Sequence, residues 1–289
     1  MFAKKYEVDT QKNTKSIHKR WFRLLPFIFY FLPVFFTCCK KEKIPVAVSE
    51  AKEEITTVNK TKEKIVSIDN SKKRIDYGTF YTDGLSSKKW VALTFDDGPK
   101  PEVLDKILKV LKDENVKATF FIVGVNTKRY PQSVNKYLQA GHEIGNHTYS
   151  HKNYYQLKEK KSIEEVEKIL IKELISTEDT IHELANIKPF FMRMPNGFIS
   201  PVVRKVAKEK KYVIVNWTFG CDWQKNTKEE IVEKYLKNVE PGTIFLFHEK
   251  KSTAQALSEI IKGIKKKGYE IVSLREILEI DADGCRLSE

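Results

Sequence analysis

Residues 90–99 read WVALTFDDGP, and this stretch decides the architecture. Its first half, 90–94, is short, apolar and rich in strand formers, which predicts a buried strand. Asp96 and Asp97 stand at the end of that strand, and Gly98-Pro99 turns the chain sharply. A helix is expected over 102–112, with Val103, Ile107, Leu108 and Leu111 on one face. Strand, turn and amphipathic helix make one unit of a parallel α/β fold, where sites form at the C-terminal ends of the strands.

The same unit recurs outward from there. Strands are predicted over 118–123, 142–145, 189–192, 212–217, 242–247 and 270–272. Helices are predicted over 132–139, 162–184, 201–209, 228–236 and 253–266. In the long helix 162–184, Ile163, Val166, Ile169 and Leu170 fall at helical spacing. Such alternation implies parallel strands joined by right-handed crossovers, and about seven units favour a closed barrel over an open sheet.

Two adjacent carboxylates repel unless a cation sits beside them. The plainer alternative, that Asp96 and Asp97 cap the following helix, needs one acid rather than two. Further on, His147-Thr148-Tyr149-Ser150-His151 places two imidazoles four residues apart, a spacing that aligns side chains on one helical face. A pair of surface histidines is the competing reading. With Asp97 they make a two-histidine, one-carboxylate set with open coordination positions, suited to zinc or another divalent ion plus water and substrate. Non-haem iron oxygenases use a similar set, but with a histidine and the acid nearly adjacent; here the acid lies fifty residues before the first histidine. His142 reads as structural, and His18 and His182 have no companions.

The T-F-D-D-G-P string followed by H-T-x-x-H resembles the polysaccharide deacetylase family, the fourth carbohydrate esterase family, over roughly 89–278. The resemblance implies a distorted (β/α) barrel of about seven parallel strands and one divalent metal ion, zinc first, with cobalt, nickel, manganese or iron also fitting. It implies that Asp96 is the general base and that Asp97, His147 and His151 hold the metal. In Arg193-Met194-Pro195-Asn196-Gly197, Arg193 would pair with Asp96. Asn196 stands where the family has an aromatic residue, and its backbone N–H would help hold the oxyanion. Asp222-Trp223 matches the end of a fourth motif, although Phe219 replaces the acid usual three positions earlier. Trp223 would wall the sugar pocket. In Ile244-Phe245-Leu246-Phe247-His248, the histidine would be the general acid, hydrogen-bonded to Asp222, and Leu246 would line the acetyl pocket.

The implied activity is metal-dependent hydrolysis of the acetamide of N-acetylated glycans, a hydrolase reaction on a carbon–nitrogen bond other than a peptide bond. Peptidoglycan, chitin-like oligomers and secreted exopolysaccharides all fit the chemistry. An O-acetyl glycan esterase, or a sugar-binding envelope protein with a degenerate site, are the alternative readings; Asn196 and Phe219 favour the second and the retained acids and histidines oppose it.

The chain has 289 residues, 41% hydrophobic, enough for one domain of about 200 residues plus an appendage. A net charge of +13 implies attraction to something anionic, or lysines that simply solvate the surface. No motif of a nucleic-acid reader appears, so nucleic acid ranks lowest among the anionic partners and none is expected, behind a lipid headgroup surface or an acidic cell-wall polymer. Residues 1–39 read as a signal peptide or membrane anchor. A basic start leads to the uncharged run LLPFIFYFLPVFFT at 24–37, which is broken by Pro26 and Pro33 and shorter than the ~20 residues of a spanning helix. Cys38-Cys39 at its end resembles a lipoprotein site, so a lipidated N-terminus, an uncleaved anchor and plain secretion stay open. Residues 40–87 read as a Lys-rich tether, 88–280 as the deacetylase catalytic domain and 281–289 as a tail. The expected location is outside the cytoplasm, periplasmic or at the cell surface, attached to the envelope membrane. No C-x-x-C pair occurs, which disfavours a structural zinc site, and a Cys221–Cys285 disulfide is left open.

Overall fold

The computed structural model describes residues 76–280. The N-terminal segment 1–39, the tether as far as residue 75, the tail 281–289 and therefore Cys285 lie outside the described residues.

The strand predicted at 90–94 is longer: β2 (Trp90–Gly98) carries both aspartates inside it. It feeds α1 (Pro101–Asp113), β3 (Thr119–Ile122), α2 (Gly124–Arg129), α3 (Gln132–Gln139) and β4 (Glu143–Asn146). Next come α4 (Tyr154–Lys160), α5 (Ile163–Ala185), β5 (Phe191–Met192), a 3₁₀ turn (Pro195–Gly197) and α6 (Pro201–Glu209). The chain ends in β6 (Val213–Val215), α7 (Lys228–Lys237), β7 (Thr243–His248), α8 (Lys251–Lys266), β8 (Glu270–Val272) and α9 (Leu274–Ile277).

Every strand pair is parallel, in the order β1-β6-β5-β4-β3-β2-β7, where β1 is Phe80–Tyr81. β7 fills one edge of β2 from Val91 to Asp96, so β3 and β8 share the other edge. The ring closes just past β6. Thr218 N–H donates to Ile244 C=O at 2.9 Å, Leu246 N–H donates to Phe219 C=O at 2.8 Å, and Phe219 bridges Phe245 in parallel. The result is a distorted (β/α) barrel of β2 to β7, with β1 and β8 added at edges.

Strand alternation sorts the side chains into layers. Val91, Leu93 and Phe95 of β2 face the helices, where Phe95 stacks between Phe120 (4.8 Å) and Phe247 (5.3 Å) over Leu104, Ile107 and Ile260. Ala92 of β2 lies on the opposite face with Phe121, Phe191, Val213, Val215 and Ile244, the barrel's own filling, and α9 closes it with Leu274 and Ile277. Parallel strands buried on both faces read as continuous apolar runs, which is why the sequence shows them clearly.

Three expectations need correction. The domain begins before residue 88: Phe80 and Tyr81 are half-buried against the core, Gly84 N–H donates to Gly242 C=O at 2.8 Å, and Leu85 N–H donates to Ile277 C=O at 2.9 Å. The last residues assigned to the tether are therefore part of the fold, because their aromatic side chains fill its edge. Ile163 does not belong to the buried face of α5; it is 66% exposed at the first turn, and Val166, Leu170, Leu174, Thr177 and Ile181 make the stripe. The helices α2 and α4 were not anticipated, since neither has enough turns to show an apolar period.

Candidate functional site

Alternation alone would aim Asp96 and Asp97 at opposite faces of β2. Asp96 follows Thr94 on the inward face. Asp97 is brought round by a left-handed backbone (φ 68°), where the register of β2 on β3 shifts between Asp96 and Gly98. Both carboxylates then open into one cavity of about 400 Å³ at the C-terminal mouth of the barrel. The capping alternative fails: the N-cap of α1 is Lys100, and no side chain caps it.

The two histidines reach that cavity by another local route than the one expected. Residues 147–151 are not helical. His147 continues from β4, and left-handed turns at Thr148 (φ 64°) and His151 (φ 51°) fold the second imidazole back beside the first. The ring centroids lie 4.9 Å apart. Asn146 holds this loop from inside, its Oδ1 accepting the Thr148 N–H at 2.9 Å and its Nδ2 donating to Leu174 C=O and Tyr212 Oη, both at 3.0 Å. Glu173 of α5 fastens the far end by accepting the Ser150 N–H at 2.7 Å and its hydroxyl at 2.8 Å.

Asp97 Oδ1 lies 3.6 Å from His147 Nε2 and 3.2 Å from His151 Nε2. Their donor atoms all fall within 4.8 Å of one another, close enough for one ion. The protonation pattern suits a metal. His147 Nδ1 faces the Arg193 carbonyl at 2.8 Å, so that nitrogen carries the proton and Nε2 keeps its lone pair for a ligand. Burial pushes the His147 pKa down, against the opposing pull of Asp96 and Asp97, which favours the neutral imidazole a metal needs. Burial alone would raise the Asp97 pKa, but His147, His151, His248 and Lys100 together hold it below its usual value.

Arg193, fully buried just after β5, braces the other acid. Its Nη1 donates to Asp96 Oδ1 and to Thr94 Oγ1, both at 2.8 Å. Nε and Nη2 donate to the carbonyls of Val215 (2.8 Å) and Asn216 (2.7 Å), and the guanidinium lies 4.1 Å from the Phe121 ring centroid. With this many partners the guanidinium is a fixed part of the barrel, and Asp96 is aimed by it.

His248, at the tip of β7, faces Asp222 across the cavity wall. His248 Nδ1 is 2.7 Å from Asp222 Oδ1, while Asp222 Oδ2 accepts the His248 N–H and the Thr253 hydroxyl, each at 2.6 Å. Burial lowers the His248 pKa, but the hydrogen bond and charge of Asp222 outweigh it, so the imidazole stays protonated above its ordinary range. Nε2 is left free of Asp222.

Asn196 lines the cavity in a left-handed conformation (φ 57°). Trp223 and Leu246 line it too. Trp223 is 45% exposed, so it is an open wall rather than a core aromatic, and it stands edge-on to Trp217 and to His248. Phe219 packs on Tyr235 at 5.3 Å in the seam that closes the barrel, so the residue standing where an acid was expected has a structural place. His142 is buried, accepts the Ala118 N–H at 3.2 Å, and its pKa is pushed down to about 4 by burial and Lys117. Cys221 is a free buried thiol.

Sequence reasoning missed Trp217, Asn146, Glu173 and Glu249. Trp217 ends a segment taken wholly as strand, although its place at a strand's C-terminal end was a signal. Glu249 follows His248 directly and is 2% exposed, with Tyr137 Oη donating to its Oε1 at 2.5 Å and Lys100 N–H to its Oε2 at 2.6 Å. Nothing in the polar run His248-Glu249-Lys250-Lys251 marks its one acid as buried.

The family model described as polysaccharide deacetylase matches residues 83–215. The chain is 37% identical over 202 residues to a peptidoglycan-N-acetylglucosamine deacetylase of Bacillus cereus, covering 68% of this chain and 70% of that protein. It is 31% identical over 196 residues to the peptidoglycan-N-acetylmuramic acid deacetylase PdaC of Bacillus subtilis, covering 67% and 40% respectively. A crystal structure of a peptidoglycan N-acetylglucosamine deacetylase with a bound N-hydroxybenzamide superposes with a TM-score of 0.64 at 36% identity, over 71% of this chain and 94% of that one. A CE4 family pseudoenzyme from Bacillus anthracis gives the same TM-score at 29% identity, over 70% and 69%.

Proposed function

The chain belongs to the polysaccharide deacetylase family and is a glycan deacetylase, and from the geometry of its site we propose that it hydrolyses the acetamide of N-acetylated sugars in peptidoglycan with the help of one divalent metal ion. The observation that carries this reading is the facing of two acid–base pairs, Arg193–Asp96 and Asp222–His248, across one cavity that also holds the Asp97, His147 and His151 donors.

Asp97, His147 and His151 would hold the ion, whose chemistry is Lewis-acid polarisation of the acetyl carbonyl and a lowered pKa for water. Asp96, aimed by Arg193, removes a proton from the attacking water. The backbone N–H of Asn196 stabilises negative charge on the carbonyl oxygen. His248, protonated through Asp222, hands its Nε2 proton to the departing sugar nitrogen, so acetate and a free amino sugar result. Trp223 and Leu246 wall the sugar and the acetyl methyl. No side chain forms a covalent intermediate.

The relatives named above are peptidoglycan deacetylases, which supports peptidoglycan over chitin-like oligomers or an exopolysaccharide. The test is acetate release from purified peptidoglycan after chelation, then after adding back zinc, cobalt or manganese. Metal-independent release, or none under any condition, rejects the proposal. The existence of a pseudoenzyme with this fold keeps the degenerate-site reading in view, and the same assay decides it.

We also propose that the domain works outside the cytoplasm, tethered to an envelope membrane. The uncharged run 24–37 followed by Cys38-Cys39 and a Lys-rich stretch motivates this. Fractionation of cells bearing the wild type and a Cys38→Ala, Cys39→Ala double variant tests it. Wild type in the cytosol rejects export, and an unchanged membrane-bound N-terminus in both rejects lipidation.

A further inference from the structure

Lys250 is the one charged residue of the cavity wall left without a counter-charge. Asp96 is held by Arg193, and Asp97 by the two imidazoles. Lys250 lines the same cavity, half-buried, immediately before α8. Among the described residues, no carboxylate forms an ion pair with its ammonium and no acceptor takes a hydrogen bond from it. A lysine on a cavity wall with no partner leaves its charge available to an anionic group of the ligand. A bound divalent ion would add positive charge to this cavity, so nothing proposed for the catalytic centre neutralises Lys250.

Its position says where that anion would sit. The Lys250 N–H donates to the His248 carbonyl at 2.8 Å, so the two residues stand one turn of backbone apart on the same rim. On the reading above, His248 must meet the nitrogen on C2 of the sugar. Of the two carbons flanking C2, C1 carries the glycosidic oxygen that continues the strand, so O3 on C3 is the neighbouring position that can carry a charged arm. A lysine side chain beside His248 has the length to reach a carboxylate carried there. In an N-acetylglucosaminyl residue O3 bears only a proton. In an N-acetylmuramyl residue it bears a lactyl arm, which ends in a carboxylate or, where amidated, in a peptide with carboxylates of its own.

We propose that Lys250 forms an anion subsite that reads a carboxylate on the C3 arm of the sugar being deacetylated, directing the enzyme to muramyl residues. This rests on the deacetylase reading and adds to it the choice of sugar. Asn196 lines the same cavity as Lys250 and is smaller and more polar than the aromatic side chain expected there.

The test compares metal-loaded wild type with Lys250→Gln, Lys250→Glu and Lys250→Arg on three substrates: a neutral N-acetylglucosamine tetramer, glycan strands stripped of peptide, and strands retaining it. Acetate release gives kcat/KM, and mass spectrometry after digestion shows which amino sugar has lost its acetyl group. Wild type is expected to free muramic acid amines and to prefer strands to the tetramer. Lys250→Gln should lower that preference by about ten- to hundredfold, the usual weight of one charge-assisted contact. Lys250→Glu should lower it further and Lys250→Arg should keep it. Added salt should erode the preference in wild type and not in Lys250→Gln. A preference confined to stripped strands assigns the lactyl carboxylate; one confined to peptide-bearing strands assigns the peptide. Glucosamine as the sole product, or a preference unchanged in both Lys250→Gln and Lys250→Glu, overturns the subsite while leaving the deacetylase standing. Absence of acetate from every substrate overturns both.

Discussion

Glu249 Oε2 accepts the backbone N–H of Lys100 at 2.6 Å, joining the loop after the β7 histidine to the first turn of the helix that follows the paired aspartates. The same carboxyl takes the Tyr137 hydroxyl on its other oxygen, and a Cβ at Gly98 would fall on it. One buried acid therefore sets the spacing between the strand ends that carry Asp97 and His248. Burial raises its pKa to about 7 from the usual 4.5, although the bonds from Tyr137 and Lys100 pull the other way.

That shift makes a stability prediction. Between pH 4.5 and 7 the folded chain keeps a proton that the unfolded chain has released. The stabilisation is thus fully present below about pH 4.5 and is lost as pH rises through 7, by up to about 3 kcal/mol. Glu249→Gln keeps an acceptor for Lys100 and removes the titration. Thermal melts from pH 5 to 8 should show the wild type losing up to roughly 10 °C that the variant does not lose. Parallel curves for the two proteins would mean that Glu249 does not titrate in this range.

His151→Ala should abolish tight binding of one zinc ion, read by calorimetry on metal-stripped protein, and turnover with it. Asp96→Asn should keep the ion and lose turnover, because it removes the base and leaves all three donors in place. Stoichiometric zinc in the first variant, or near-normal acetate release in the second, contradicts the assignment.

Arg193 and Asp96 are both buried and bonded to each other, so removing one partner strands the other's charge. Arg193→Met should destabilise the domain by about 3–5 kcal/mol in urea titrations. Adding Asp96→Asn to it should recover part of that loss, since no uncompensated carboxylate remains. Additive losses would show that the pair is not coupled.

The sequence carried the barrel because buried parallel strands announce themselves as apolar runs, and helices such as α3 and α6 show clean periods. It carried the charged residues of the site because acids and histidines at strand ends are conspicuous. It did not carry how they meet. His147 and His151 converge through two left-handed turns rather than a helix face, and Asp97 turns inward through a register shift; residue spacing is blind to both. Glu249 and Glu173 look like solvated acids in a lysine-rich chain, and only tertiary packing shows that each is buried and holds a loop. Phe80 and Tyr81 escaped notice because two apolar residues are too few to mark a strand amid polar neighbours.

Asp222 and His248 make the last prediction. Asp222 raises the His248 pKa against burial, so a reaction that needs the protonated imidazole should lose rate only above the ordinary histidine range. Asp222→Asn keeps the size of the side chain and removes its charge. Burial is then opposed only by the charges of Asp96 and Asp97, the imidazole releases its proton at lower pH, and the basic limb of kcat against pH should move toward acid. At neutral pH the variant should approach His248→Ala, which is expected to cut turnover by roughly 10²–10⁴. A purely structural role for Asp222 would lower kcat by the same factor at every pH. The measurement is kcat from pH 5 to 9 on one peptidoglycan substrate with zinc saturating, and a basic limb that stays in place while its height falls would remove Asp222 from the proton pathway.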